Sequence, residues 1–529
     1  MVLASLFTAL TQASEQCATC HPKEVAGYLE TGMSRSMSRP VGQPSGSFEH
    51  FLSRSTFTVA AGESGMIQRI ERDGLAAEYP VEYVIGSGNA AFGYLIRIGE
   101  YVYQSPITYY TTRDVWDMAP GMESHRNPDF DRPVLPECLW CHAGRPLPVA
   151  GTQNRYRDAI LAAEAISCDR CHGPAEAHLA KPSAETIVNP AKLAPAQRAS
   201  VCEQCHLSGR ARVLNPGRGF GDFQPGMRLE DVFSVYIDQQ PVSATPETFK
   251  VVSHFEQLAL SRCAQQSAER MWCGTCHNPH EKPADPVAYY RERCVTCHAS
   301  LAESHPQPAS DCVSCHMTRR HSRDSGHSAF TDHLISRRPH GESTLEEAGK
   351  LRAWREPKAS LAERNLGLAY LEVGQRERLE SYLDEGSRLL AKAVQSSPDD
   401  PPVLSALGSV LMLKNAPSGS GVRELALQLL EDALRLEPEN AEHARTLAAA
   451  HWQLRDGPRA IALLNRAIEL DPFVEAAYRV LARIYEESGK PDQALETWQR
   501  YLERVPQSLH ARQQLRHPDG SGDQHGVSK

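Results

Sequence analysis

The pattern Cys-x-x-Cys-His occurs seven times between residues 17 and 316, and it takes up fourteen of the 15 cysteines. The copies are Cys17/Cys20/His21, Cys138/Cys141/His142, Cys168/Cys171/His172, Cys202/Cys205/His206, Cys273/Cys276/His277, Cys294/Cys297/His298 and Cys312/Cys315/His316. Cysteines at i and i+3 share one face of a helical turn. Two such thiols can each add to a vinyl group of a porphyrin while the next imidazole meets the iron. The spacing therefore reads as covalent c-type haem attachment, with seven haems and seven proximal histidines.

Other chemistries of paired cysteines fit less well. A thioredoxin-type redox pair needs one Cys-x-x-Cys beside a strand–helix unit, with no histidine after it. Zinc cages combine two such motifs, and an odd number leaves one orphaned. A disulfide framework gives no reason for histidine after every second cysteine. Seven porphyrins at roughly 49 residues each are expected to supply much of the apolar core of their region, and aromatic residues make up only 7% of the chain. Folding is then expected to be coupled to haem attachment, as it is to a structural metal. Successive motifs start 121, 30, 34, 71, 21 and 18 residues apart. Short intervals hold attachment points close together, so motifs five to seven are expected to form a tight cluster and motifs two to four a looser one.

A low-spin haem iron takes a second axial ligand. Ten of the 22 histidines lie outside the motifs and before residue 345, enough for bis-histidine ligation at every iron. The candidate distal ligands are His125, His178, His254, His280, His305, His327 and His333. His178 closely follows the third motif, His280 the fifth, and His305 separates the last two. His327 and His333 come just after the seventh, and His125 and His254 precede motifs they could reach. His50, His321 and His340 are weaker candidates. Met33 and Met37 are rival axial ligands, although methionine more often packs. Cys263, the fifteenth cysteine, has no intramolecular partner left. It reads as a buried free thiol, with an iron ligand or an intermolecular bridge as the alternatives. No catalytic residue is singled out.

The 529 residues leave room for two to four domains, and no cysteine follows Cys315. A net charge of -9 argues against a nucleic-acid partner, and no apolar run is long enough to span a membrane. Residues 1–13 read as a signal-peptide remnant, apolar with a small-x-Ala end near Ala13 but without a preceding basic residue. Thioether attachment takes place outside the cytoplasm, so a periplasmic or extracellular location is expected. Residues 14–344 form the heptahaem domain, with a β-rich insert at about 48–115. There, 81–85, 93–98 and 101–104 alternate in strand fashion, and Gly99-Glu100 joins the last two as a hairpin. Gly86-Ser-Gly88 is a turn, since it lacks the third glycine and downstream acid of a nucleotide site. Residues 255–263 read as helical.

From 345 to 511 the chain becomes rich in Ala, Leu, Glu and Arg with helical periodicity. Leu447, His451, Ala460, Leu464, Ala467 and Pro472 recur 34 residues on as Leu481, Tyr485, Ala494, Trp498, Tyr501 and Pro506. Two upstream copies, around Leu407-Gly408 and Leu366-Gly367, carry short insertions. This is the tetratricopeptide pattern, in four copies, a stack whose concave face usually captures a partner. Residues 512–529 read as a flexible tail. The expected fold is mainly α: a haem-packed multihaem cytochrome domain with few regular elements and a small antiparallel β insert, followed by an all-α tetratricopeptide solenoid.

The chain resembles bacterial multihaem cytochromes c with C-terminal tetratricopeptide repeats. Its haem part is similar to the tetrahaem cytochrome c of ammonia oxidisers and, more distantly, to multihaem hydroxylamine- and nitrite-processing enzymes. Besides the haem motifs, the resemblance rests on Tyr28-Leu-Glu-Thr-Gly-Met33, Ile85-Gly-Ser-Gly88, Trp116-Asp-Met-Ala-Pro-Gly121, Cys171-His-Gly-Pro174, Ile187-Val-Asn-Pro190, Cys276-His-Asn-Pro-His280 and His327-Ser-Ala-Phe-Thr-Asp-His333. It implies haem binding and electron transfer and gives no substrate. Two functions follow. One is a non-catalytic electron relay whose repeats dock a redox partner protein. The other is an oxidoreductase acting on a small nitrogen or sulfur compound at one five-coordinate haem. Seven motifs ending in histidine, with spare histidines at hand, favour the relay. A redox sensor built around the repeats ranks last.

Overall fold

The computed structural model of the chain describes residues 12–62, 65–239, 252, 254–267, 270–305, 311–322, 325–337, 349–414 and 421–516. The expected signal remnant lies outside the described residues up to position 11, and the expected tail from 517 onward.

The N-terminal part is built on an eight-stranded sheet. Its order is Arg132–Pro133, Tyr101–Gln104, Gly93–Ile98, Leu75–Ile85, Gly65–Arg72, Ser55–Gly62 and Gly46–His50, with Met37–Ser38 on the end of Leu75–Ile85. All these pairings are antiparallel. The anticipated hairpin is present: Ile96 faces Tyr103 and Ile98 faces Tyr101 across the loop. Gly99 takes φ +61 there, a conformation glycine adopts without strain.

Alternation sends one set of side chains to each face. Phe57, Ile70, Tyr79, Tyr94, Ile96, Tyr101 and Tyr103 form one core. Tyr83, Leu95 and Val102 point the other way, onto Met37, Leu139, Tyr156 and Ile160. Central strands buried on both faces tie two layers to one sheet. Met37, a rival axial ligand by sequence, is only 2% exposed in that second core and packs there.

This sheet corrects the expected fold class for the N-terminal part. The β portion is no small insert at 48–115: its strands run from Met37 to Pro133, and further antiparallel pairs continue beyond it. It has its own protein core, so porphyrins are not what fills that layer. The overall aromatic content misleads because the aromatics are concentrated: Tyr94, Tyr110, Tyr156, Tyr236, Phe57 and Phe233 are among the largest fully buried side chains. The segments that carry motifs five to seven are different. Between Ile237 and Leu351, no apolar side chain among the described residues is buried.

Ala211–Leu214, Phe233–Asp238 and Leu351–Ala353 form a second, three-stranded sheet. The first repeat helix begins at Ala362, so the N-terminal part runs past the expected boundary at 345. Four helix pairs follow: Ala362–Glu377 with Glu380–Ser396, Pro401–Leu413 with Val422–Leu436, Ala441–Gln453 with Gly457–Leu470, and Glu475–Glu487 with Pro491–Arg504. Gly367 and Gly408 permit the crossings, since a Cβ at either would lie within 2.5 and 2.8 Å of Leu390 and Leu430. Helix Leu509–Arg516 closes the stack, so the first residues of the expected tail are ordered.

The solenoid packs against the N-terminal part through its first helix, the turn before its fourth helix pair and its last helix. Arg364 pairs with Asp400 at 2.6 Å and donates to the Leu214 carbonyl, while Asn365 donates to Asn215 and Ser234. Phe473 stacks on Tyr101 at 4.4 Å, and its carbonyl accepts from the Tyr103 hydroxyl. Leu509 enters the sheet core and donates its N–H to Asp129.

Candidate metal centres

Each motif occupies one helical turn. His21, His172 and His277 donate their backbone N–H to the carbonyls of Cys17, Cys168 and Cys273 at 2.8–2.9 Å. The other four lie on helices Pro136–His142, Pro195–His206, Pro286–Ser304 and Cys312–His316. The long helix breaks at His298, which has φ -116 and ψ 31.

None of the fourteen motif cysteines is in a disulfide, and their exposure is uneven. Cys17, Cys141, Cys168, Cys171, Cys202, Cys205, Cys273, Cys276, Cys294 and Cys312 are half-buried. Cys20, Cys138, Cys297 and Cys315 are exposed. Cys20 and Cys297 lie on short or kinked helical turns whose outer face meets solvent: Cys20 ends the turn after helix Gln12–Ala18, and Cys297 directly precedes the break at His298. Their neighbours in the motif, Cys17 and Cys294, are the more enclosed of each pair. At motifs one, two, six and seven one attachment position therefore faces inward and the other outward, whereas both are half-buried at motifs three, four and five.

The motif histidines meet histidines from distant parts of the chain. Ring centres lie 6.4 Å apart for His21 and His178, 5.8 Å for His172 and His280, 5.0 Å for His206 and His254, 6.2 Å for His277 and His333, and 6.3 Å for His305 and His316. With an iron–nitrogen bond of about 2 Å and a ring centre about 1.1 Å beyond it, imidazoles on opposite sides of one iron have centres about 6.2 Å apart. Three of the five spacings agree with that figure within about 0.2 Å; His206–His254 is shorter, and the His254 ring lies closer still, 4.5 Å, to that of His333.

The hydrogen bonds at Nδ1 fit the same role. His172 Nδ1 lies 2.8 Å from the Val188 carbonyl and His316 Nδ1 2.8 Å from that of Ser336. His178 Nδ1 meets the Ser183 carbonyl at 3.1 Å, and His333 Nδ1 that of Thr331 at 3.2 Å. A carbonyl can only accept, so each Nδ1 carries the proton and Nε2 keeps its lone pair, the tautomer a metal requires. His50 differs, since its Nδ1 and Nε2 both have hydrogen-bond partners. Burial pushes His254 down to about 3 and His206 down to about 4, with neighbouring imidazoles adding to the effect. Both rings are therefore neutral at ordinary pH. The Nδ1 of His254 is buried without a hydrogen bond.

These residues fit a haem better than a bare ion. Among the described residues no three His, Cys, Asp or Glu side chains converge on a common point, as a zinc cage requires. Ligands facing each other in pairs suit an iron whose other bonds come from a macrocycle. The scarcity of buried apolar side chains around motifs five to seven fits a large apolar group packed there. Such a group would be held through the thiols by thioether bonds and through the paired imidazoles.

Distances in sequence proved a poor guide to the pairing. His178 follows the third motif but faces His21 of the first, and His333 faces His277 of the fifth rather than the nearby seventh. His125 sits exposed in a turn, with no ring contact to any motif histidine among the described residues. The side chain of His327 lies outside the described residues, as does His340. No second histidine faces His142 or His298 among the described residues. Cys263 is only half-buried, which corrects the buried-thiol expectation: its Sγ lies 3.9 Å from His298 Nε2. Tyr290, unremarked in the sequence, places its hydroxyl 3.1 Å from His277 Nδ1.

The motifs also touch one another. Cys141 and Cys205 are close neighbours, as are Cys202 and Cys273 and Cys294 and Cys312. Arg170 of the third motif stacks 3.3 Å from the Trp140 ring of the second. Glu203, inside the fourth motif and fully buried, accepts from Trp354 at 2.9 Å and from Arg355 at 2.6 Å, just before the repeats begin.

Comparisons with known proteins bear on the C-terminal part. Two tetratricopeptide repeat family models match, over residues 419–475 and 456–516. Small glutamine-rich tetratricopeptide repeat-containing protein 2 of Saccharomyces cerevisiae is 32% identical over 80 residues, or 15% of this chain. The chain spans 23% of that protein's length. Among solved structures, MamA is 25% identical over 28% of this chain and 84% of its own, with a TM-score of 0.24. The APC/C hetero-tetramer Cut9–Hcn1 is 20% identical over 30% of this chain and 32% of its own, also at 0.24. The C-terminal domain is thus a tetratricopeptide-repeat domain, a class of fold that binds other proteins.

Proposed function

We propose that this chain is an exported c-type cytochrome that relays electrons through seven covalently bound haems, with its repeat domain docking a redox partner protein. The observation that carries the reading is the facing of five motif histidines by second histidines at 5.0–6.4 Å, four of them across long stretches of sequence. When bound, each haem supplies an iron that alternates between two oxidation states. The chain's own residues would hold that iron on both sides and fix imidazole tautomers through backbone carbonyls, and burial keeps the His206 and His254 rings neutral.

Neighbouring motifs support a partial order for the relay. Motif four lies beside motif two at Cys205 and beside motif five at Cys202. Motif six lies beside motif seven at Cys294. Motif four is therefore the junction, and Glu203 ties it to the start of the repeats. Tetratricopeptide stacks commonly capture a partner on their concave face, and the repeats are the part that would dock one here.

A second reading is an oxidoreductase with an open iron at motif two, favoured by His142, which no second histidine faces among the described residues. Electron paramagnetic resonance of the oxidised protein separates the two. Entirely low-spin ferric signals support the relay, and a high-spin ferric haem that binds nitrite or hydroxylamine supports the enzyme.

A further inference from the structure

We propose that Cys263 is the second axial ligand at motif six, opposite His298, so that one haem carries imidazole and thiolate ligands among bis-histidine neighbours. This rests on the haem reading above. Cys263 belongs to no attachment motif, so its sulfur is not needed for a thioether. Its Sγ lies 3.9 Å from Nε2 of His298, the ring nitrogen through which the other motif histidines are free to bind. Iron–nitrogen and iron–sulfur bonds of about 2.0 and about 2.3 Å place the two ligand atoms about 4.3 Å apart, within about 0.4 Å of what is seen.

The supply of ligands around motif six points the same way. His254, His280, His305 and His333 face His206, His172, His316 and His277 respectively. His298 faces a sulfur instead. Two features hold that sulfur in place: Ser261 caps the helix Arg262–Gln266 by accepting from the Ala264 N–H at 3.3 Å, and the Ser267 hydroxyl donates to the Cys263 carbonyl. A thiolate donates more electron density than an imidazole, so this haem is expected to have a lower potential than its bis-histidine neighbours.

The test uses the full-length, haem-loaded protein and its Cys263→Ser and Cys263→Met variants. Intact mass first establishes that each carries seven haems, and a protein without haem would fail the earlier reading rather than this one. The wild type is expected to show a thiolate-to-iron charge-transfer band in near-infrared magnetic circular dichroism and one narrow low-spin resonance. That resonance should account for one-seventh of the iron. Cys263→Ser should lose both features, with one haem turning high-spin, and Cys263→Met should give a methionine-type band in their place. Native wild type should also resist alkylation at Cys263 despite its exposure. Absence of the thiolate signature from the wild type, or stoichiometric alkylation that leaves the spectrum unchanged, would overturn the proposal. Should both variants fail to load haem, the wild-type spectra and the alkylation still decide it.

Discussion

The imidazole of His21 lies 6.4 Å, centre to centre, from that of His178, although the entire eight-stranded sheet falls between them in sequence. His178 is held by its Nδ1 contacts to the Ser183 carbonyl and the Thr186 hydroxyl, both 3.1 Å away. The first motif is remote in sequence from the others and is nonetheless joined to them. Tyr28, on the helix after it, donates its hydroxyl to the Ile166 carbonyl at 2.6 Å, just ahead of the third motif.

From this pairing, His178→Ala should leave one iron with a single protein ligand. Electron paramagnetic resonance of the oxidised variant is expected to show one high-spin ferric haem, with the third motif unchanged. If instead the third motif were altered and the first were not, the assignment of His178 to His21 would be wrong.

The join between motif four and the repeats should be costly to break. Glu203→Ala would leave Arg355 half-buried without its main partner. Loss of one member of a buried pair costs about 3–5 kcal/mol. Arg388→Ala removes only an exposed pair with Glu385 on one helix, and should leave stability nearly unchanged. Denaturant unfolding of the loaded protein, followed by helix content, distinguishes the two effects.

Asp129 makes the sheet–repeat contact dependent on pH. Burial, with help from the neighbouring Glu475 charge, holds its carboxyl above the ordinary value against the lowering effects of Arg72 and the Phe130 and Leu509 N–H groups. A raised value means that the docked form binds a proton more tightly than the undocked chain. This contribution is fully present below the unfolded value of about 3.9 and is lost as pH rises through the folded value. Asp129→Asn should flatten the pH dependence of the melting temperature from pH 4 upward. A wild-type slope in that variant would contradict the account.

Local patterns carried the parts of this molecule that were legible in the sequence. The seven motifs, the hairpin around Gly99-Glu100 and the 34-residue repeats each declare themselves within a few dozen residues. The facing histidines do not, because a pairing such as His206 with His254 depends on where the chain returns and leaves no local period. Exposure was hidden in the same way: Cys20 and Cys297 have the same motif around them as the half-buried Cys171 and Cys205, and only the packing of neighbouring segments tells them apart. The extent of the sheet was hidden too. Met37–Ser38 and Arg132–Pro133 are two-residue strands with no alternation to detect. Leu351–Ala353 looks like part of the approach to the repeats, yet it pairs with Tyr236–Asp238. Cys263 was visible as the odd cysteine, but only the fold brings it to His298.

The most direct test of the account is the intact mass of the exported protein produced in a host with c-type haem attachment machinery, measured after denaturation so that only covalent additions remain. The expected mass is the mature polypeptide plus seven haems, with the colour and the pyridine haemochrome spectrum to match. A colourless protein with the mass of its polypeptide alone would contradict the account.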